Sequence, residues 1–351
     1  MLIYLHIPFC DSKCYYCAFN SYVGKLELKN RYMDAITRQF KSELSVFKPA
    51  KNSIKSLFIG GGTPSTIEVK LYENFFKTVK PYLQKDAEIT TEANPNSASL
   101  EWLKGMKNLG VNRISFGVQS FNDEKLKFLG RNHNRDIAIK AIKNADKSGF
   151  ANISLDLIYG TQKDNKSLLL EDLKLAKTLP INHLSAYSLT IEEDTLFFKT
   201  PQVAKDSVTL ARFFTNQIQK LGFPQYEISN FGTYQSIHNL GYWSQDDYIG
   251  IGSGAVGFLK NRRFYRSKSI ENYIQNPKTI EVENLSKDAL HVEAVFLGLR
   301  SKLGVKLENF NTKELKNIDI LLESKKLKKL KERIYNPDYF LSDELALYIL
   351  D

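Results

Sequence analysis

The chain has 351 residues, is 42% hydrophobic and carries a formal net charge of +10. This length and composition predict one large domain with a smaller one, and the three cysteines are too few for a disulfide scaffold. No apolar run reaches the length of a membrane span, and the amino terminus lacks the features of a signal peptide, so we expect a cytoplasmic protein.

Short β-rich apolar runs alternate with longer amphipathic stretches along the first half of the chain. The runs are Leu2 to Ile7, Ile54 to Ile59, Ala87 to Thr91, Arg113 to Val118, Ile153 to Ile158 and His183 to Leu189. The stretches between them include Leu28 to Phe47, Glu68 to Leu83, Asp136 to Lys147 and Lys166 to Thr178. Such a repeat predicts parallel strands with right-handed crossovers. Six units are fewer than the eight that close a TIM barrel, so we predict an α/β fold with a partial (β/α)6 barrel.

All three cysteines, Cys10, Cys14 and Cys17, lie within eight residues after the first predicted strand. Three thiols on one loop favour a soft metal centre. A structural zinc site needs a fourth ligand, and the nearby His6 is expected to point from its strand rather than toward the loop. Three thiolates suit a 4Fe–4S cluster that keeps one iron open to another ligand. Zinc or a chance group of thiols is the alternative.

Polar and glycine-rich residues follow several of the predicted strands. Gly60 to Thr63 follows the second strand, Glu92 the third and Gln119 the fourth, while Arg131 lies further on and Asp156 is inside the fifth. The carboxyl ends of parallel strands share one edge, which is where such folds bind ligands. A glycine run leaves backbone amides accessible to a ligand. We therefore expect one polar rim around the cysteine loop.

Four motifs resemble the oxygen-independent coproporphyrinogen III oxidase family of radical SAM proteins. They are Leu5 to Cys10, Phe58 to Pro64, Ser115 to Phe121 and Asp156 to Gly160, within a match that extends to about Arg300. The resemblance implies a radical SAM barrel whose cluster is bound by Cys10, Cys14 and Cys17. It also implies contacts to S-adenosylmethionine (SAM) from Tyr4, Gly61, Gly62, Thr63, Glu92, Gln119, Arg131, Asp156 and Val256.

Two features separate the enzymes of this family from its HemW-type haem chaperones. The enzymes resembled here carry a fourth cysteine two residues after the third and a long arm before the cluster, whereas this chain has Cys17-Ala18-Phe19 and nine residues before Cys10. The segment from His238 to Trp243 resembles the HNxxYW haem-binding signature of the HemW group. The resemblance assigns haem binding to His238, Asn239, Tyr242 and Trp243.

This assignment is chemically reasonable because a haem site needs an axial ligand and flat apolar cover. Histidine commonly ligates haem iron, and His238 is followed closely by the aromatic side chains of Tyr242 and Trp243. The glycines around Gly250 and Gly252 do not form a dinucleotide fingerprint, because no suitable strand–helix unit and acidic residue follow them.

We divide the chain into a barrel (1–200), an extension of the barrel that carries the HNxxYW motif (201–285) and a small, mainly helical, winged-helix-like domain (286–351). The stretch Lys313 to Arg333 is expected to be largely helical before Asn336-Pro337, with its many lysines on a solvated face.

The sequence thus favours a cytoplasmic haem chaperone with a 4Fe–4S cluster, SAM and haem, which passes haem to an acceptor protein. The alternative is a radical SAM enzyme of porphyrin biosynthesis that oxidatively decarboxylates coproporphyrinogen III. The basic charge leaves two weaker expectations: contact with a membrane surface, and an enzyme acting on RNA, although no stable nucleic acid partner is expected.

Overall fold

The computed structural model describes residues 1–351 and begins with six strands that alternate with helices. Strands β1 to β6 are Leu2–Ile7, Ile54–Gly61, Leu83–Ala93, Arg113–Gln119, Asn152–Tyr159 and His183–Ser188. Helices α1 to α6 are Lys29–Phe47, Val69–Val79, Leu100–Leu109, Asp123–Phe128, Arg135–Lys147 and Lys166–Lys177. The predicted alternation is confirmed. The second predicted helix ends early, because Leu83 already begins the long strand β3.

These six strands pair in parallel and in chain order. Tyr4 of β1 lies opposite Phe58 of β2, and Leu155 of β5 lies opposite Leu184 of β6. A sheet whose neighbouring strands follow one another along the chain requires a crossover after every strand, which the helices provide. All six carboxyl ends therefore face the same edge of the sheet.

Five shorter strands extend this sheet on both sides. The elements after β6 are α7 Val208–Lys220, β7 Asn230–Gly232, α8 Ile237–Trp243, β8 Tyr248–Ile251, β9 Val256–Leu259, β10 Arg262–Arg266, α9 Ile270–Gln275 and β11 Ile280–Asn284. The complete order is β11-β10-β9-β8-β1-β2-β3-β4-β5-β6-β7, and β7 runs antiparallel to β6. The parallel part is an incomplete barrel, as predicted.

Strand β1 lies in the interior of the sheet, between β2 and β8. Its residues Leu2, Ile3, Leu5 and Ile7 are fully buried. Burial on both faces is characteristic of a parallel strand that has other elements over each face. The loop that follows β1 therefore starts from a rigid support.

The last part of the chain forms a small three-stranded sheet with helices. Its elements are α10 Lys287–Leu299, β12 Val305–Lys306, α11 Thr312–Glu323, β13 Lys328–Leu330, β14 Arg333–Tyr335 and α12 Ser342–Leu350. A second hydrophobic core contains residues from Val295 to Ile349. No helix anywhere in the structure combines the length and the apolar character that crossing a membrane requires.

The expectation of a largely helical stretch from Lys313 to Arg333 is wrong in its second half. Helix α11 ends at Glu323, and the chain then forms the antiparallel hairpin β13–β14. Lys325 and Lys331 both have positive φ angles, which end the helix and turn the hairpin. Pairing of β14 with β12 adds long-range hydrogen bonds that the helical spacing of lysine and leucine does not reveal.

Candidate functional site

The three cysteines lie on the loop between β1 and α1. Cys10 is buried, and Cys14 and Cys17 are half-buried. Backbone hydrogen bonds close the loop, since Cys10 N donates to Tyr22 O at 3.0 Å and Tyr22 N donates to Pro8 O at 2.7 Å. All three cysteines line one cavity of about 490 Å³. The loop thus presents its three thiols to a common space.

Two side chains from beyond the strand ends contact these sulfurs. Thr63 Oγ1 donates to Cys10 Sγ at 3.4 Å, and Arg131 Nη1 donates to Cys14 Sγ at 3.2 Å. Burial raises the pKa of the Cys10 thiol. Hydrogen bonds from the hydroxyls of Thr63 and Ser21 partly offset this increase. Hydrogen bonds and a nearby guanidinium favour thiolates, the form that binds metal.

The donor set of the cysteine loop suits a cluster bound by three thiolates. Tetrahedral zinc requires sulfurs about 3.8 Å apart, given Zn–S bonds of about 2.3 Å. A 4Fe–4S cluster binds each thiolate to a different iron and so accepts a wider spacing. The donor set of three thiols around one cavity therefore fits the predicted cluster.

Gly62 allows the second strand's loop to approach the cysteine loop. A Cβ atom at Gly62 would lie 2.8 Å from Phe9 O and 3.0 Å from Cys10 Sγ. Real Cβ atoms do not tolerate such contacts with a backbone atom, so only glycine fits here without a shift. The glycine run has a packing role next to a proposed iron ligand.

Seven of the residues that resemblance assigns to SAM line the same cavity as the cysteines. They are Gly61, Gly62, Thr63, Glu92, Gln119, Arg131 and Asp156. They come from the carboxyl ends of β2, β3, β4 and β5 and from the segment after α4, as the sheet topology requires. Gln119 has a φ of 67°, a strained value for this residue type that is common at functional sites. The expected polar rim is present, and SAM binding to it stays a prediction.

Two carboxyl groups give this cavity its electrostatic character. Burial, with the charge of Asp156 next, raises the pKa of Glu92 to about 8, while the Gly61 N–H and Arg113 oppose the shift. Burial also raises the pKa of Asp156, against hydrogen bonds from Ser185 and Ser115. Buried carboxyl groups with raised pKa values favour a ligand that brings positive charge. An ammonium or sulfonium group would meet that requirement.

Arg131 is held at the cavity wall by several acceptors. Its Nη2 donates to Gly117 O at 2.6 Å and to Asn94 Oδ1 at 2.8 Å. Its Nε is buried without a hydrogen-bond partner. A guanidinium that lines the cavity suits an anionic ligand group such as a carboxylate.

Asn94 was not among the predicted residues, yet it lines the cavity and links two of its walls. Its Nδ2 donates to Thr63 Oγ1 at 3.1 Å, and its Oδ1 accepts from Arg131. Asn94 directly follows the end of β3. Its position at the carboxyl end of a strand could therefore have identified it as a candidate site residue.

Tyr4 and Val256 are not among the residues that line this cavity. Val256 begins β9 and pairs with Tyr265. Tyr4 donates its hydroxyl to His6 Nδ1 at 3.0 Å, and His6 Nε2 donates to Asn20 O at 2.8 Å. The expectation that His6 points away from the cysteine loop is therefore wrong, because it supports the backbone of that loop.

His238 lies in the protein interior on α8. Only 1% of it is exposed, and its Nδ1 forms a 2.8 Å hydrogen bond with Ser56 Oγ while its Nε2 has no partner. Burial lowers its pKa to about 3, with a smaller contribution from Arg113, so the imidazole is neutral. A neutral imidazole with a free nitrogen can ligate iron.

The HNxxYW residues are far from the cysteine cavity. Ser56 precedes Gly61 by five residues on β2, which corresponds to roughly 17 Å along a strand. Asn239, Tyr242 and Trp243 are partly buried on the same helix as His238, and none of the four lines the cavity. The structure brings them together but not next to the cluster loop, and their role toward haem stays a prediction.

Several known proteins resemble this chain in sequence. The model of the Radical SAM superfamily matches residues 4–176. Heme chaperone HemW of Lactococcus lactis is 34% identical over 325 residues, which cover 88% of this chain and 84% of that protein. Heme chaperone HemW of Escherichia coli is 41% identical over 263 residues, which cover 73% and 69%.

A solved structure shares the fold over nearly the whole chain. Coproporphyrinogen III oxidase (HemN) of Escherichia coli, a radical SAM enzyme, superimposes with a TM-score of 0.82 at 20% identity, covering 99% of this chain and 89% of that one. This likeness confirms the radical SAM fold. Together with the identity to the curated relatives, it leads to one assignment: the chain belongs to the HemW haem chaperone family of radical SAM proteins.

Proposed function

We propose that this protein binds haem and passes it to an acceptor protein, with a 4Fe–4S cluster and SAM as its cofactors. The observation that carries the proposal is its membership in a family of proteins named haem chaperones, over most of the length of the chain. The chain also lacks the fourth cysteine that the family's enzymes carry after the third.

Residues of the cavity would hold the cofactors as follows. Cys10, Cys14 and Cys17 would ligate three irons, and a cluster with SAM supplies one-electron chemistry when bound. Arg131 and Thr63 stabilise the thiolates through hydrogen bonds to sulfur. Three free thiols that ligate iron need a reducing compartment, so the cytoplasm is the proposed location.

The polar groups of SAM match the charges of the cavity wall. Glu92 and Asp156 would accept hydrogen bonds from its ammonium and hydroxyl groups, and the guanidinium of Arg131, which lines the cavity, would bind its carboxylate. Glycines 61 and 62 keep side chains out of the space between these groups and the cysteine loop.

For haem, the proposed ligand is His238 Nε2. Its neutral state and unpaired nitrogen support this assignment, as does the aromatic contact with Tyr242, whose ring centroid lies 4.7 Å away. The acceptor protein would take haem from this site. The identity of the acceptor protein is left open. We propose that any contact with a membrane surface is made by the exposed lysines of the β13–β14 hairpin.

One experiment decides between chaperone and enzyme. Anaerobically purified protein with a reconstituted cluster is incubated with SAM and either haem or coproporphyrinogen III. We expect retention of haem through gel filtration, transfer of that haem to apomyoglobin, and no decarboxylation of coproporphyrinogen III. Turnover of coproporphyrinogen III without haem retention would reverse the assignment.

A further inference from the structure

Glu88 of β3 makes an unusual number of hydrogen bonds around the start of α8. Its side chain is buried, and its two oxygens accept from four donors. These donors are Tyr234 Oη at 2.9 Å, Ser236 Oγ at 3.1 Å, Ile237 N at 2.9 Å and His238 N at 3.1 Å. One carboxylate of the sheet thus fixes the segment that contains His238.

These bonds stabilise the present position of α8. Two of the donors are backbone N–H groups of the first helical turn, which have no partner inside the helix. Hydrogen bonds to a buried carboxylate are stronger than those between neutral groups. When glutamine replaces this carboxylate, one acceptor oxygen is lost, and leaving buried donors without an acceptor costs stability.

In this position, haem has no space beside His238. The imidazole is bonded to Ser56 and lies 5.1 Å from the ring of Phe58. Further along α8, a Cβ atom at Gly241 would lie 2.5 Å from a methyl group of Leu2, so the helix contacts β1 directly. A flat macrocycle cannot reach Nε2 unless α8 moves away from the sheet.

We propose that Glu88 is a positioning residue that holds α8 closed over His238 and so limits access of haem to this histidine. The inference rests on the proposed function, because it takes haem as the ligand of His238. Haem then binds only molecules in which α8 has opened, and its apparent affinity is reduced by the small fraction of open molecules. The bonds of Glu88 keep that fraction small.

The test replaces Glu88 by the isosteric, uncharged glutamine. In cluster-loaded Glu88→Gln, we expect faster hydrogen exchange at the amides of Ile237 and His238. We also expect the rate of haem binding, followed by stopped-flow difference spectra in the Soret region, to rise about tenfold, as a tenfold larger open fraction requires. Iron content should equal that of the wild type.

Two controls separate this role from general loss of stability. Glu43→Gln removes another buried carboxylate, which bonds Arg266 and no residue of α8, and it should leave haem binding unchanged. The double variant Glu88→Gln/His238→Ala should lose the acceleration. A gain that persists without His238, or haem binding no faster in Glu88→Gln, would refute the role of Glu88. Absence of haem binding in the wild type and in Glu88→Gln would refute the proposed function as well.

Discussion

Arg131 Nη1 lies 3.2 Å from the sulfur of Cys14, although the two residues are 117 positions apart. The same guanidinium donates to Gly117 O on strand β4. One side chain therefore links the cysteine loop to the wall of the cavity that the predicted SAM residues line. Changes in the cavity wall are expected to lower the iron content when they press directly on a sulfur or on the backbone of the cysteine loop, as a side chain at Gly62 would.

The first prediction concerns the iron ligands. Replacing Cys10, Cys14 or Cys17 by alanine removes one of only three protein ligands, so iron should fall from about four to well below one per chain. Iron and sulfide analysis after anaerobic reconstitution measures this. Ser12→Ala, on the same loop, is the matched control and should keep its iron. Stoichiometric zinc in the wild type would show that the cluster assignment is wrong.

A second prediction compares two glycines of the cavity. Gly62→Ala places a methyl group against Phe9 O and Cys10 Sγ, so both iron content and SAM affinity should fall. The new methyl group of Gly117→Ala meets side-chain atoms only, those of Gln119, Arg131 and Asn94, at 3.0, 3.3 and 3.5 Å. Those side chains can move, so Gly117→Ala should keep its iron and lose about tenfold in SAM affinity.

Iron analysis and calorimetry with SAM distinguish the two glycine variants. Equal iron content in both would mean that the approach of Gly62 to Cys10 does not matter for the cluster. Unchanged SAM affinity in Gly117→Ala would show that SAM does not bind next to Arg131.

The third prediction follows from the raised pKa of Glu92, about 8 in the folded chain against an ordinary 4.5. Below pH 4.5 both folded and unfolded chains hold this proton, so stability is unaffected. Between pH 4.5 and 8 the unfolded chain ionises first, and stability falls as pH rises. Glu92→Gln removes this contribution, so its free energy of unfolding should decline less over that range.

Urea unfolding of the cluster-free protein at several pH values checks this prediction. Glu101→Gln, at an exposed helical position, serves as the control and should follow the wild type. A decline in Glu92→Gln as steep as in the wild type would show that Glu92 keeps an ordinary pKa.

The fourth prediction concerns His238. If its Nε2 ligates haem iron, His238→Ala should shift the Soret band and weaken haem retention by about tenfold or more. The cluster loop is roughly 17 Å away along the strand, so iron–sulfur content should not change. His291→Ala, in the carboxy-terminal region, is the matched control. A Soret band and a haem affinity equal to those of the wild type would show that His238 does not ligate haem.

The sequence by itself determined the parts of this protein that depend on local pattern. The alternation of apolar runs and amphipathic stretches predicted β1 to β6 closely, because side-chain period reflects the local secondary structure. The spacing of Cys10, Cys14 and Cys17 on one loop predicted the candidate cluster site. The placement of Glu92 and Asp156 on one rim followed because parallel strands in chain order end at the same edge.

Only the tertiary structure decided the features that depend on distant partners. The pairing of β8 with β1, and of β14 with β12, joins segments far apart in the chain, so no local period encodes either pairing. The burial of His238 arises from Ser56 and Glu88 on two strands of the sheet. A motif identifies the residues that can bind a ligand, whereas access to them depends on packing against residues that lie elsewhere in the sequence.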